Sequence, residues 1–177
     1  MEEHPEVSYI YNDEFGDTNT SKSLRRGLRL TGSDPVLWLN GDVVFDPTVL
    51  EILQPYIDRD QSFVAVNTES VSDEEVKYTL DDRGFINEIS KEVSAGLGEA
   101  VGINFVGSSD KPFLTARLED CGPQDYFERG IELAIQRDRR KFRAVDISAA
   151  RCMEVDFPTD LAQAETTFAD LGSVRKG

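Results

Sequence analysis

The chain has 177 residues, 39% of them hydrophobic and 30% charged, with a formal net charge of −15. A chain of this length can bury a real core in one domain, and its spread of Leu, Ile, Val and Phe excludes a disordered protein. The charge excludes nucleic acid and anionic membranes as partners, because both repel it, and no apolar run reaches the roughly 20 residues of a membrane helix.

The first residues, "MEEHPEV", are acidic and lack the basic and apolar regions of a signal peptide, so cytoplasm is the expected location. Cys121 and Cys152 then read as free thiols. Lysine is scarce beside arginine and aspartate, a balance that fits a salt-loving cytoplasm and an ordinary acidic enzyme equally.

"VSYIYN" (Val7–Asn12) alternates and carries β-branched and aromatic residues, which predicts a strand. A polar loop follows. Thr20 or Ser21 is the expected cap of a helix over "SKSLRRGLRLTG", with Leu24, Leu28 and Leu30 as its inward candidates and Gly32 ending it. "PVLWLNGDVVF" is almost continuously apolar, as in a central strand covered on both faces. "DPTVLEILQPYID" predicts a helix with Asp46 as N-cap and Pro47 at its first position. "SFVAVNT" predicts a strand, and "VKYTLDDRGFINEISKE" predicts two strands around an Asp-Asp-Arg-Gly turn. "AVGINFVG" is a further strand. "QDYFERGIELAIQRD" is an amphipathic helix with Tyr126, Phe127, Ile131, Ala134 and Ile135 inward. "FRAVDIS" and "CMEVDF" are strands, and Pro158 opens a last helix. Alternating strands and helices predict an α/β domain with an antiparallel hairpin inserted in its middle.

Ligands of open α/β sheets bind beyond the carboxyl ends of strands. Asp42 lies at such an end, and Gly41 before it leaves room for a ligand to approach the backbone. Asp156 ends a second short apolar strand, and Glu154, two residues earlier, shares its side of that strand. A carboxylate on a rigid strand end beside a triphosphate suits Mg²⁺, which takes one or two carboxylates and fills its other positions with waters and phosphates. Asp160 reads as a first-turn acid favoured by the helix dipole.

The order of these motifs resembles the sugar- and choline-phosphate nucleotidyltransferase family over roughly residues 7–168. "LNGDVVF" is similar to the family's first magnesium motif, and "EVDFPTDLAQA" to its second. The resemblance implies a three-layer, Rossmann-like mixed sheet of the nucleotidyltransferase type. It assigns Asp42 and Asp156 to Mg²⁺, and Lys91, after the hairpin, to the acceptor phosphate. Here the chain has Ser90-Lys91-Glu92, where the family often has Glu-Lys-Pro. Glu99 and Gly102 match the strand lining the acceptor pocket, and Asn19 and Ser23 match the loop and helix that pass the nucleotide base. The implied reaction is transfer of a nucleotidyl group from an NTP to a sugar 1-phosphate or phosphocholine, with pyrophosphate release.

The family's opening strand and glycine-rich loop, of the form G-x-G-x-R, have no match in this sequence. The expectation is one nucleotidyltransferase-like domain over 1–177, with its core at about 7–170. It would be an N-terminally shortened member missing the first strands, with two strand positions lacking between "VSYIYN" and "PVLWLN" and little activity of its own. One rival is a glycosyltransferase using a nucleotide-sugar, disfavoured because Gly41-Asp42-Val43-Val44 stands where Asp-x-Asp is usual. Another is a non-catalytic binding module of the same fold. Homo-oligomerisation stays open.

Overall fold

The computed structural model of the chain describes residues 7–69 and 75–171. The sole histidine, His4, lies outside them. The strand expected over Val7–Asn12 is not formed: the segment has no regular structure, and Val7, Tyr9, Ile10 and Tyr11 are exposed. β-Branched and aromatic residues favour a strand only where a neighbour supplies ladder partners and a face to cover. Here the bonds are local instead. Asn12 Nδ2 donates to Thr18 Oγ1 and Ser23 Oγ, each at 3.0 Å.

Helix α1 (Thr20–Leu30) is capped by Asn19 rather than by Thr20 or Ser21; the Asn19 Oδ1 accepts the Thr20 N–H at 2.7 Å. Leu28 is buried and Leu24 packs beside it, whereas Leu30 is exposed. The apolar run Pro35–Phe45, expected as one central strand, is broken in two. Strand β1 (Val36–Leu39) pairs antiparallel with β6 (Glu99–Val106), and β2 (Val43–Phe45) pairs with β8 (Cys152–Glu154) in a separate two-stranded ribbon. The β1–β6 ladder runs one step past Leu39 and ends there. Asn40 N–H donates to the Gly102 carbonyl at 2.9 Å. Gly102 has φ +71°, and a Cβ there would stand 2.7 Å from the side-chain nitrogen Nδ2 of Asn40. Only glycine meets both demands without strain. Past this crossing the chain leaves the large sheet.

Helix α2 (Thr48–Ile57) follows with Pro47, not Asp46, at its N-cap position; Asp46, one residue earlier, accepts the Thr48 N–H on Oδ1 at 3.0 Å. Strand β3 (Phe63–Asn67) is buried in the centre. Strands β4 (Lys77–Leu80) and β5 (Ile86–Ser90) form the predicted hairpin. Asp81 Oδ1 accepts the N–H groups of Arg83 and Phe85, and Gly84 takes φ +75°. Helix α3 (Lys111–Asp120) was not anticipated from the sequence, although Pro112 at its start and Leu114 and Leu118 one turn apart mark it. Then come α4 (Phe127–Asp138), β7 (Arg143–Asp146) and α5 (Pro158–Thr167).

The large sheet runs β5-β4-β6-β3-β7, with β1 also on β6; β3 and β7 are its parallel pair. One face carries Leu28 of α1, Leu114 and Leu118 of α3, and Phe127, Ile131 and Ala134 of α4. The other carries Val49 and Leu53 of α2, with Val43, Phe45 and Cys152 of the ribbon. This is the expected three-layer α/β arrangement with a mixed sheet. Among the described residues β1 pairs with β6 alone. Both cysteines are free, and no helix among the described residues is long and apolar enough to cross a membrane.

The ribbon is clamped at its far end. Arg151 Nη2 bonds Asp46 Oδ2 at 2.6 Å, and its Nη1 reaches the Thr167 carbonyl at 2.6 Å and Asp170 at 2.8 Å. One guanidinium thus ties α2's start, β8's approach and α5's end. Arg151→Ala is expected to lower the thermal midpoint, followed by circular dichroism. Arg151→Lys is expected to recover only part of the loss, because one ammonium cannot span the three acceptors. Unchanged midpoints in both variants would show that the ladder alone holds the ribbon.

Candidate functional site

An open cleft of about 680 Å³ lies where α1, the β1–β2 junction, the start of α4 and the end of β8 meet. The ribbon register sets its rim. Val43 pairs with Glu154, and the Val155 N–H donates to the Asp42 carbonyl at 2.9 Å, so the ladder runs one step past β2. Asp42 and Asp156, far apart in sequence, thereby border one cleft. Gly41 borders it too, and a Cβ on Gly41 would meet nothing within 4 Å.

Of the residues singled out from sequence, Ser23, Gly41, Asp42, Lys91, Gly102, Glu154 and Asp156 line this cleft. Asn19 does not; its side chain caps α1, next to the cleft residue Thr20. Glu99 lines an adjoining hollow of about 280 Å³ that shares Glu75, Ala100 and Glu154 with the cleft. Lys91 lies just past β5, with its Nζ over the Tyr126 ring, 5.0 Å from the centroid. Tyr126 was expected to face inward. It is 47% exposed and borders the cleft instead, because it precedes the first turn of α4.

The cleft's electrostatics are dominated by carboxylates. Burial, then the charges of Glu75, Asp42, Asp156 and Glu99, push the Glu154 carboxyl up to about 7. Burial also raises the Glu128 carboxyl to about 7; the charge of Glu154 adds to the rise and that of Lys91 opposes it. Asp160 has a structural role, its Oδ2 accepting the N–H groups of Asp156 and Phe157 at 3.1 and 2.9 Å. The bond to Asp156 steadies the backbone at the rim.

Several cleft residues escaped the sequence reasoning: Thr20, Gly27, Trp38, Glu75, Tyr126 and Glu128. Glu128 carried a signal. It stands three and seven residues before Ile131 and Ile135, so a carboxylate sits on the apolar stripe of α4. Gly27 carried another, being a glycine in mid-helix. Trp38 carried none, because an aromatic in an apolar strand reads as core.

Asp42 and Asp156 fit a divalent cation of the magnesium type. They are hard oxygen donors, and Mg²⁺ takes one or two carboxylates. Among the described residues no group of three or more His, Cys, Asp or Glu side chains could hold a metal alone. The donor set therefore suits an ion shared with a ligand's phosphate oxygens.

The fold around this cleft is that of the GT-A-like nucleotidyltransferases. The inositol-1-phosphate CTP transferase from T. maritima superposes with a TM-score of 0.73 at 16% identity, covering 95% of this chain and 66% of that one. A UDP-glucose pyrophosphorylase solved with UDP-glucose gives 0.68 at 13% identity, covering 92% and 66%. The CTP:phosphocholine cytidylyltransferase LicC from Streptococcus pneumoniae gives 0.69 at 14%, covering 94% and 71%. The chain thus spans just under two thirds of the length of the first two. In sequence, the family model described as glycosyl transferase family 2 matches residues 2–111, more than half of the chain, and the chain belongs to that family. A search of curated proteins gave no match.

Two outcomes are expected. A carboxyl raised from its ordinary value to about 7 binds its proton more tightly in the folded state. Stability therefore falls as pH rises from about 4.5 to 7, and the penalty is complete above the folded value. In chelator, the wild-type thermal midpoint is expected to fall between pH 5 and pH 8 more than that of Glu128→Gln; parallel curves would refute this. A Cβ on Gly27 would meet nothing within 4 Å. Gly27→Ala is therefore expected to stabilise the chain by about 0.5–1 kcal/mol in denaturant unfolding, and a loss of stability would show a hidden packing constraint.

Proposed function

We propose that this cleft serves Mg²⁺-dependent nucleotidyl transfer from an NTP to a phosphorylated small molecule. The observation that carries the reading is the pairing of β2 with β8, which sets Asp42 and Asp156 on the rim of the cleft that also holds Lys91. Asp42 and Asp156 would hold the cation. When bound, the cation neutralises phosphate charge and aligns an in-line displacement. Lys91 would orient the acceptor phosphate as a point charge, while Gly41 leaves the triphosphate room to approach. A phosphate oxygen of the acceptor attacks the α-phosphorus of the NTP. The bond from that phosphorus to the bridging oxygen breaks, and pyrophosphate leaves. An acceptor phosphate already ionised needs no general base, which accords with the lack of histidine among the described residues. Ser23 and Asn19 are assigned to the base side, and Glu99, Gly102 and Glu154 to the acceptor side.

The family match favours a second reading, glycosyl transfer from a nucleotide-sugar. The same cation site would then serve a diphosphate leaving group, although Asp-x-Asp is absent at Gly41–Val44.

Titration of the chain with each NTP in Mg²⁺ and in chelator tests the site. Binding is expected to require Mg²⁺ and to weaken about tenfold or more in Asp42→Asn and in Asp156→Asn, as for loss of a hydrogen-bonded charge. Metal-independent binding that both variants retain would overturn the assignment. The product then separates the two reactions: pyrophosphate from an NTP plus a phosphate ester supports the first, and nucleoside diphosphate from a nucleotide-sugar supports the second.

A further inference from the structure

Lys91 is the one lysine or arginine lining the cleft, and five carboxylates, Asp42, Glu75, Glu128, Glu154 and Asp156, line it too. The Lys91 charge reaches the Glu128 carboxyl, yet among the described residues Lys91 joins no ion pair and donates no hydrogen bond. What it meets is an uncharged ring: its Nζ lies over Tyr126. Tyr126 is placed from both sides. The Asp125 carbonyl accepts the Ser21 N–H at 3.3 Å, and the Phe127 N–H donates to Thr20 Oγ1 at 3.1 Å. Phe127 in turn packs edge to face on Trp38 at 5.6 Å between centroids. Lys91, by contrast, reaches in on a flexible four-carbon stem from just past the end of β5.

We propose that Tyr126 is a positioning residue: its ring holds the Lys91 ammonium at the cleft and apart from the carboxylates, so that the N–H groups of Lys91 stay available to an anionic ligand. The inference rests on the reading of Lys91 as the residue that meets the acceptor phosphate. A free ammonium in a carboxylate-lined cleft is drawn to one of those carboxylates. Once paired, its charge is offset and its donors are spent. A ring face attracts a cation through its quadrupole. It carries no net charge to cancel that of the lysine, and it takes none of the three N–H donors in a conventional hydrogen bond. The arrangement also limits where a rotamer-rich side chain goes before a ligand arrives, which is ordering that binding then need not supply. Tyr126 is half-exposed and lines the cleft, so the cation it holds is open to solvent and to a ligand.

The test is a double-mutant cycle on the full chain, read as affinity for glucose 1-phosphate by calorimetry in Mg²⁺. Lys91→Ala is expected to weaken binding about tenfold. Tyr126→Leu, which keeps bulk and removes the ring, is expected to weaken it about three- to fivefold, the size of a partly exposed cation–π contact. Tyr126→Phe keeps the ring and is expected to bind like wild type. In the Lys91→Ala background Tyr126→Leu is expected to change nothing further, whereas a merely structural role would weaken binding in both backgrounds. A second measurement needs no variant to fold. After reductive methylation with a carbon-13 label, which keeps the charge, the chain's six lysines give separate NMR signals, and the Lys91 signal is expected to be shifted upfield by the Tyr126 ring current. An unshifted signal overturns the inference, as does Tyr126→Leu binding like wild type, Tyr126→Phe behaving like Tyr126→Leu, or an equal loss in both backgrounds. If Lys91→Ala weakens binding and Tyr126→Leu does not, the phosphate reading stands and the positioning role falls. If glucose 1-phosphate does not bind, or Lys91→Ala changes nothing, both fall.

Discussion

The antiparallel ribbon of β2 and β8 is the constraint on which the cleft depends. It is only three residues long on each strand, yet it joins the chain's two acidic strand ends across more than a hundred residues. Its register leaves no freedom. A one-residue slip would turn every side chain to the other face, moving Val43 and Phe45 away from the sheet face that α2 covers and Glu154 away from the rim. The ribbon lacks the size to be stable alone. It persists because Val43, Phe45 and Cys152 pack against the sheet face that α2 covers, and because Arg151 and Asp46 close its far end. Asp46 is held at about 2, first by the Thr48 backbone bond and then by Arg151, so the clamp keeps its charge at any pH above that.

Much of the architecture was legible because its periodicities are unambiguous. The hairpin, the buried β6 and the amphipathic α4 follow from alternation, turn chemistry and an apolar stripe. The failures share one cause, which is that local pattern carries no information about partners. Val7–Asn12 has strand composition but no ladder to join. Pro35–Phe45 has the apolar content of one strand, and it splits past Asn40, where the ladder to β6 ends opposite Gly102, more than sixty residues downstream. Helix α3 was hidden in a stretch whose inward side chains are reduced to Leu114 and Leu118.

The cleft shows the same division. The residues found from sequence were those whose chemistry is local, such as an aspartate after a glycine at a strand end. Glu128, Trp38 and Tyr126 matter through where α4 and β1 meet, which no short window contains. Tyr126 was even assigned to the core, on a periodicity that holds for Phe127, Ile131 and Ala134. It fails one residue before the helix begins.

The two proposed reactions differ in their leaving groups, and the cleft is compatible with both. An NTP and a nucleotide-sugar both present a pyrophosphate linkage, and a negatively charged cleft can accept either only with a cation between. Two carboxylates on a rigid ribbon would meet that need in both proposed reactions. What differs is the atom attacked, the α-phosphorus or a sugar carbon, and that is governed by what the rest of the cleft holds in line. In the proposed transfer Lys91, whose Nζ lies over the Tyr126 ring, would favour an anionic attacking group, and a phosphate oxygen is a nucleophile without a base. A sugar hydroxyl is not: it must give up a proton. Glu128 and Glu154, both near 7, are the groups with a proton affinity suited to that step.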